Sequence, residues 1–156
     1  MNETYRATKA AQRAAADPAV SAFVAANAGA GKTTVLIDRV ARLLLAGVDP
    51  SKIVCITYTR AAAAEMADRL FKRLGAWTLA GDAALADALE DLEGARTHDA
   101  DALRHARRLF ARALETPGGL KIQTIHAFCE RLLRRFPLEA GAPPGFDVLD
   151  DDEASA

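Results

Sequence analysis

Cysteine is scarce in this sequence of 156 residues, with only two present. Cys55 and Cys129 stand far apart, with no CxxC spacing and no histidine at metal-ligand intervals. That excludes a disulfide framework or a zinc module and leaves two buried thiols in a reducing compartment as the expectation. Charge of one sign is also lacking: the formal net charge is −1, so no global excess announces a nucleic-acid partner. No apolar run approaches membrane length. The opening MNETYRATKAAQRAAADP holds no apolar signal core. A soluble, cytoplasmic protein with no membrane partner is expected. There is no internal repeat, and no low complexity beyond a bias to alanine.

What is present is one domain's worth of chain, long enough for a sizeable core. Hydrophobic residues make up 51% of it, and the abundance of alanine favours helix. The charges are unevenly placed. All 20 Lys and Arg precede residue 136, whereas Asp147, Asp150, Asp151, Asp152 and Glu153 crowd the end. Residues 1–146 thus hold 20 basic against 16 acidic groups, a mild surplus compatible with phosphate binding.

Periodicity suggests the order of elements. Residues 8–16 read as a helix closed by Asp17-Pro18, and Val20–Ala26 as a short apolar strand. Lys32–Ala46 reads as a helix with Val35, Leu36, Val40, Leu43 and Leu44 at helical spacing and Gly47 just beyond its end. Lys52–Thr57 (KIVCIT) is apolar without alternation, as in a parallel strand covered on both faces. Ala61–Leu74 reads as a helix stopped by Gly75. Strand, helix, strand, helix implies a parallel sheet with right-handed crossovers. From about 76 to 116 the pattern changes to two or three amphipathic helices broken near Gly81 and Gly94. Leu120–Thr124 then gives a third strand and His126–Arg135 a helix ended before Pro137. GAPPG, 141–145, is a linker or tight turn. Trp77 and Phe110 read as core. The expected division is a single α/β domain over 1–146 with a helical insertion, followed by the acidic stretch 147–156.

The stretch VSAFVAANAGAGKTTVL, Val20 to Leu36, carries the chemistry. A loop between strand and helix leaves backbone N–H groups unpaired, and the helix start adds partial positive charge, so the junction suits an anion. Gly29 and Gly31 allow backbone shapes closed to other residues. Lys32 supplies a point charge for outer phosphates, and Thr33 a hydroxyl suited to Mg²⁺. The pattern G-x-x-x-x-G-K-[ST] is matched except that Ala26 holds the first glycine's place. A triphosphate is the implied ligand, contacted by Ala26, Asn27, Ala28, Gly29, Ala30, Gly31, Lys32, Thr33 and Thr34. The loop alone leaves kinases, GTPases and motors open.

The neighbouring motifs narrow the choice. ITYTRAAAAEMADRL, 56–70, resembles motif Ia of UvrD/RecB-type superfamily 1 helicases, and IQTIHAFCERLLRRFPLEAG, 122–141, resembles motif Ib. ANAGAGKTT resembles that family's phosphate loop, in which alanine commonly replaces the first glycine. Within the family the wording is most similar to AddA-type helicase–nuclease subunits, over nearly the whole chain. The resemblance implies a P-loop NTPase (RecA-like) fold, ATP with Mg²⁺ as cofactors, and Gln12 as the adenine-reading residue. It implies Lys32 and Thr33 as catalytic groups. It also implies a base-stacking Tyr58, backbone contacts from Thr57 and Thr59, and DNA contacts from Thr124 and His126. A half-buried Tyr58 in the core is the alternative, since strands favour Tyr. Arg131, Arg134 and Arg135 share a helical face that either meets phosphates or is simply solvated. Arg104, Arg107, Arg108 and Arg112 form a similar stripe to which no function is assigned.

VLDDDEASA, 148–156, superficially offers the hydrophobic-then-acidic pattern of a Walker B, but two apolar residues are too few for a buried strand. With that motif set aside, phosphoryl transfer lacks its Mg²⁺ carboxylates here. The expectation is therefore the N-terminal piece of a larger 3′-to-5′ DNA helicase of double-strand break repair. By resemblance, such a parent acts on single-stranded and duplex-end DNA with an AddB-like nuclease partner. The piece alone should bind nucleotide weakly and unwind nothing. The alternatives are a non-catalytic nucleotide- or DNA-binding remnant and a P-loop kinase for a small metabolite.

Overall fold

The computed structural model describes residues 3–147 apart from 28, 95–97 and 144. Its order is α1 (Glu3–Ala15), α2 (Lys32–Leu45), β1 (Val54–Thr57), α3 (Arg60–Leu79), α4 (Asp82–Glu93), α5 (Ala100–Leu114), β2 (Lys121–Thr124) and α6 (Ile125–Arg135). This is an α/β arrangement of helices around a small parallel sheet. β1 and β2 pair in register, Val54 with Lys121 through to Thr57 with Thr124.

The core is a helical layer on one side of that sheet. Ile37, Val40 and Leu44 of α2 meet Met66, Leu70 and Leu74 of α3, and Cys55 closes the layer from β1. Leu85 and Leu89 of α4 and Leu109 of α5 are fully buried in the same cluster. Each such leucine contributes about 1.5–3 kcal/mol of transfer free energy. Phe71 and Phe110 join α3 to α5 edge to face, with ring centroids 6.2 Å apart. Trp77 is buried and Phe110 packs against the cluster, as expected of core residues.

Helix ends follow their local chemistry. Gly47, in the left-handed region, donates to Leu44 O and closes α2, as expected. The hydroxyls of Thr59 and Thr124 and the carboxylate of Asp99 cap α3, α6 and α5. Breaks fall at Gly81 and Gly94 as the sequence suggests.

Four expectations need correction. Val20–Ala26 forms no strand: residues 21–27 have no regular structure and Phe23 is 96% exposed. A lone extended segment gains no ladder hydrogen bonds and buries no side chain, so nothing offsets its ordering cost. β1 is covered on one face only, with Val54 and Ile56 about half exposed on the other. The run VCI is apolar on both faces, but all the core helices gather on the Cys55 side. α3 is not stopped by Gly75 and runs to Leu79, because Leu74 and Trp77 on either side bury themselves in the core. Cys129 is exposed, since α6 buries none of its residues.

Candidate phosphate loop and sheet rim

The loop joins an irregular segment to α2. Gly29 and Gly31 have φ of 78° and 85°, which only glycine adopts without strain. Gly31 is the N-cap of α2 and offers no side-chain cap. The first intrahelical bond runs from Val35 N to Gly31 O at 3.0 Å, so the N–H groups of residues 32–34 have no helical partner. A turn bond from Ala30 N to Asn27 O, 3.3 Å, folds the loop over. The Lys32 ammonium donates to Ala26 O at 2.6 Å and to Asn27 O at 2.7 Å, using two of its three donors. A cation thus stands beside a row of amides at the positive end of a helix, which suits a polyanion. Ala26, Asn27, Ala30, Thr33 and Thr34 are exposed around it, and Ala28 lies outside the described residues.

Gln12 reaches this loop from α1. A Cβ on Gly31 would stand 3.1 Å from Gln12 Nε2, so the Gln12 amide borders the space that a side chain at Gly31 would fill. Gln12 also lines a cavity of about 240 Å³ with Lys9, Thr34, Asp38, Arg73 and Trp77. The Asp38–Arg73 ion pair stands in its wall. The loop and Gln12, distant in sequence, are therefore brought together.

The second group lies at the C-terminal rim of the sheet, where α/β sheets bind ligands. Register places Thr57 opposite Thr124, with Tyr58 one residue and Thr59 two residues beyond, and His126 in the first turn of α6. Tyr58 is 83% exposed, which removes the reading of it as half-buried core. The threonines are partly engaged. Thr57 Oγ1 donates to Thr59 O at 3.0 Å, and the Thr59 and Thr124 hydroxyls accept from Ala62 N and Ala127 N as caps. Thr124 is buried and His126 exposed.

The arginine stripes resolve differently. Arg134 pairs with Glu130 at 2.9 Å and covers the Phe146 ring at 5.1 Å, while Arg135 lies over Phe136 at 5.9 Å. Arg107 is committed to Ala80 O and Asp82. Arg39 and Arg42 of α2, unremarked in the sequence, instead reach back to the backbone of α1. Their partners are backbone carbonyls, which no side-chain pattern in the sequence marks. Among the described residues no group of three or more His, Cys, Asp or Glu forms a metal site. The acidic pattern at 148–156 lies outside the described residues.

A sequence profile of the UvrD/REP helicase N-terminal domain matches residues 7–156. The chain belongs to that family. Three proteins similar to this UvrD/REP domain are each named as the A-type subunit of an ATP-dependent helicase/nuclease. That of Desulforamulus reducens is 37% identical over 135 residues, 85% of this chain and 9% of its own length. That of Desulforudis audaxviator is 38% identical over 137 residues, again 85% of this chain and 9% of its own. The Enterococcus faecalis protein is 35% identical over 130 residues, 83% of this chain and 9% of its own. The UvrD/REP domain thus spans about a tenth of the length of these relatives. No described helix is long and apolar enough to cross a membrane.

Proposed function

We propose that this chain is the ATP-binding portion of an ATP-dependent 3′-to-5′ DNA helicase of the AddA kind, acting in double-strand break repair. The observation that carries this reading is the loop: two left-handed glycines lead into α2, with the Lys32 ammonium at the mouth and Gln12 alongside. Ala26 to Thr34 hold the triphosphate through backbone amides, Lys32 neutralises its outer charge, and Gln12 reads the base. The donor set fits a nucleotide carrying Mg²⁺: Thr33 at the start of α2 offers one hydroxyl oxygen, while phosphate oxygens supply others. Bound there, Mg²⁺ would neutralise charge on the β- and γ-phosphates.

DNA is assigned to the sheet rim. Tyr58 offers a free aromatic face to a base, and Thr57, Thr59, Thr124 and His126 frame the strand's path. Unwinding, an AddB-like nuclease partner and engagement of duplex ends belong to the longer parent protein. The DNA-facing rim is what favours a motor over a small-metabolite kinase.

Lys32→Ala tests the nucleotide reading. It is expected to abolish ATP binding, followed by calorimetry, while the circular dichroism spectrum is unchanged. Retained affinity in a folded variant would show the loop misassigned.

A further inference from the structure

We propose that Arg39 and Arg42 are positioning residues for the nucleotide: they seat α1, and so place Gln12 against Gly31. This rests on the nucleotide-site reading above and assigns a function to two residues outside the loop.

The last four carbonyls of a helix have no intrahelical partner. In α1 those are the carbonyls of residues 12–15. Ala16 N donates to Gln12 O at 3.0 Å, and Asp17 N to Ala14 O at 3.2 Å. The other two are taken by guanidinium groups from α2. Arg42 Nη1 donates to Arg13 O at 3.0 Å, and Arg39 Nη1 to Ala15 O at 3.3 Å. Arg39 goes on to Asp17 O at 2.5 Å and Val20 O at 2.6 Å, which holds the chain as it leaves α1 for the loop. Two cations therefore stand at the negative end of the α1 dipole, each in a charge-assisted hydrogen bond.

Apolar burial does little to hold the described part of α1. Most of its described side chains are exposed, and the buried Ala16 stands just past its end. The polar contacts at its C-terminal end come from Arg39 and Arg42 of α2 and from the Arg13–Asp91 pair. Arg42 also donates through Nε to Leu92 O at 3.0 Å, and Arg13 through Nε to Asp91 O at 3.2 Å. The final turn of α4 is thereby joined to the same seat. A shift of α1 carries Gln12 away from Gly31 but leaves Gly29, Gly31 and Lys32 on α2 and its loop. Base recognition should suffer, and phosphate binding should not.

The test compares ATP with inorganic tripolyphosphate as ligands of the chain, by calorimetry, for Arg42→Gln, Arg39→Gln and the milder Arg42→Lys. Hydrogen exchange follows α1 separately from the core. Arg42→Gln is expected to lower ATP affinity about tenfold and leave tripolyphosphate affinity within about twofold. Amide protection should fall in α1 and persist in α3 and α5. Lysine reaches one carbonyl rather than two, so Arg42→Lys should give a smaller loss of the same kind. Combining Arg42→Gln with Gln12→Ala should add little to either alone, because both remove one contact. Parallel losses for both ligands, or no loss, would overturn the proposal while the loop reading stands. If the unsubstituted chain bound neither ligand, the loop reading itself would fall and this proposal with it.

Discussion

Tyr58 is 83% exposed, so replacing it removes contact surface without opening a cavity. Tyr58→Ala in the intact parent is expected to weaken single-stranded DNA binding by about 1–3 kcal/mol and spare ATP affinity. Fluorescence anisotropy with a labelled oligonucleotide checks this, and unchanged DNA affinity would reduce Tyr58 to a bystander. The two thiols separate in the same way. Burial pushes the Cys55 thiol above its ordinary pKa, so it stays protonated where an exposed thiol begins to ionise. Cys129 is exposed. At mildly alkaline pH a maleimide should label Cys129 quickly and Cys55 only after denaturant is added; mass spectrometry of the peptides distinguishes them. Residue chemistry was readable where a motif fixed a backbone, as at Gly29 and Gly31. It was not readable for Cys129, whose exposure depends on whether another element covers α6. Nor was it for Arg39 and Arg42, whose partners are carbonyls that no side-chain pattern reveals.

Gly75 shows how packing overrides a local stop signal at the scale of the element. Glycine weakens a helix interior, yet the buried leucine and tryptophan on either side carry α3 through it. A Cβ there would meet Phe110 Cε2 at 3.6 Å, an ordinary contact. Gly75→Ala should therefore stabilise the fold by about 0.5–1 kcal/mol, seen as a higher denaturant midpoint. A lower midpoint would mean that α3 and α5 need a closer approach than this. The same scale explains the lost strand. Helix α2 and the start of α3 were legible because their apolar faces repeat and their ends carry glycine or capping residues, and the breaks at Gly81 and Gly94 were legible too. Val20–Ala26 had the composition of a strand, but pairing is a property of two segments, and its own residues could not supply the partner. β1 and β2 pair with each other and place Thr57 beside Thr124, which two separate motifs could only imply.

At the scale of the molecule, one well-packed helical layer stands against a sheet whose other face is left uncovered by the described residues. Val54 and Ile56 are about half exposed there, and α6 carries exposed Leu132, Leu133 and Phe136. An α/β fold was expected and is present, but the alternation fails at Val20–Ala26, and how many layers cover a sheet is a global property that no local run encodes. Both candidate sites depend on this architecture, since α1 brings Gln12 to the loop and strand register assembles the rim. The proposed function rests on the amides around Gly29 to Thr33 forming the seat of a nucleotide's phosphates. The direct measurement is an amide-resolved NMR titration of the chain with Mg-ATP. Gly29, Gly31, Lys32, Thr33 and the Gln12 side-chain amide should shift first and furthest, with α4 and α5 little changed. Shifts centred on Tyr58 and His126, or spread over the core with the loop silent, would contradict it.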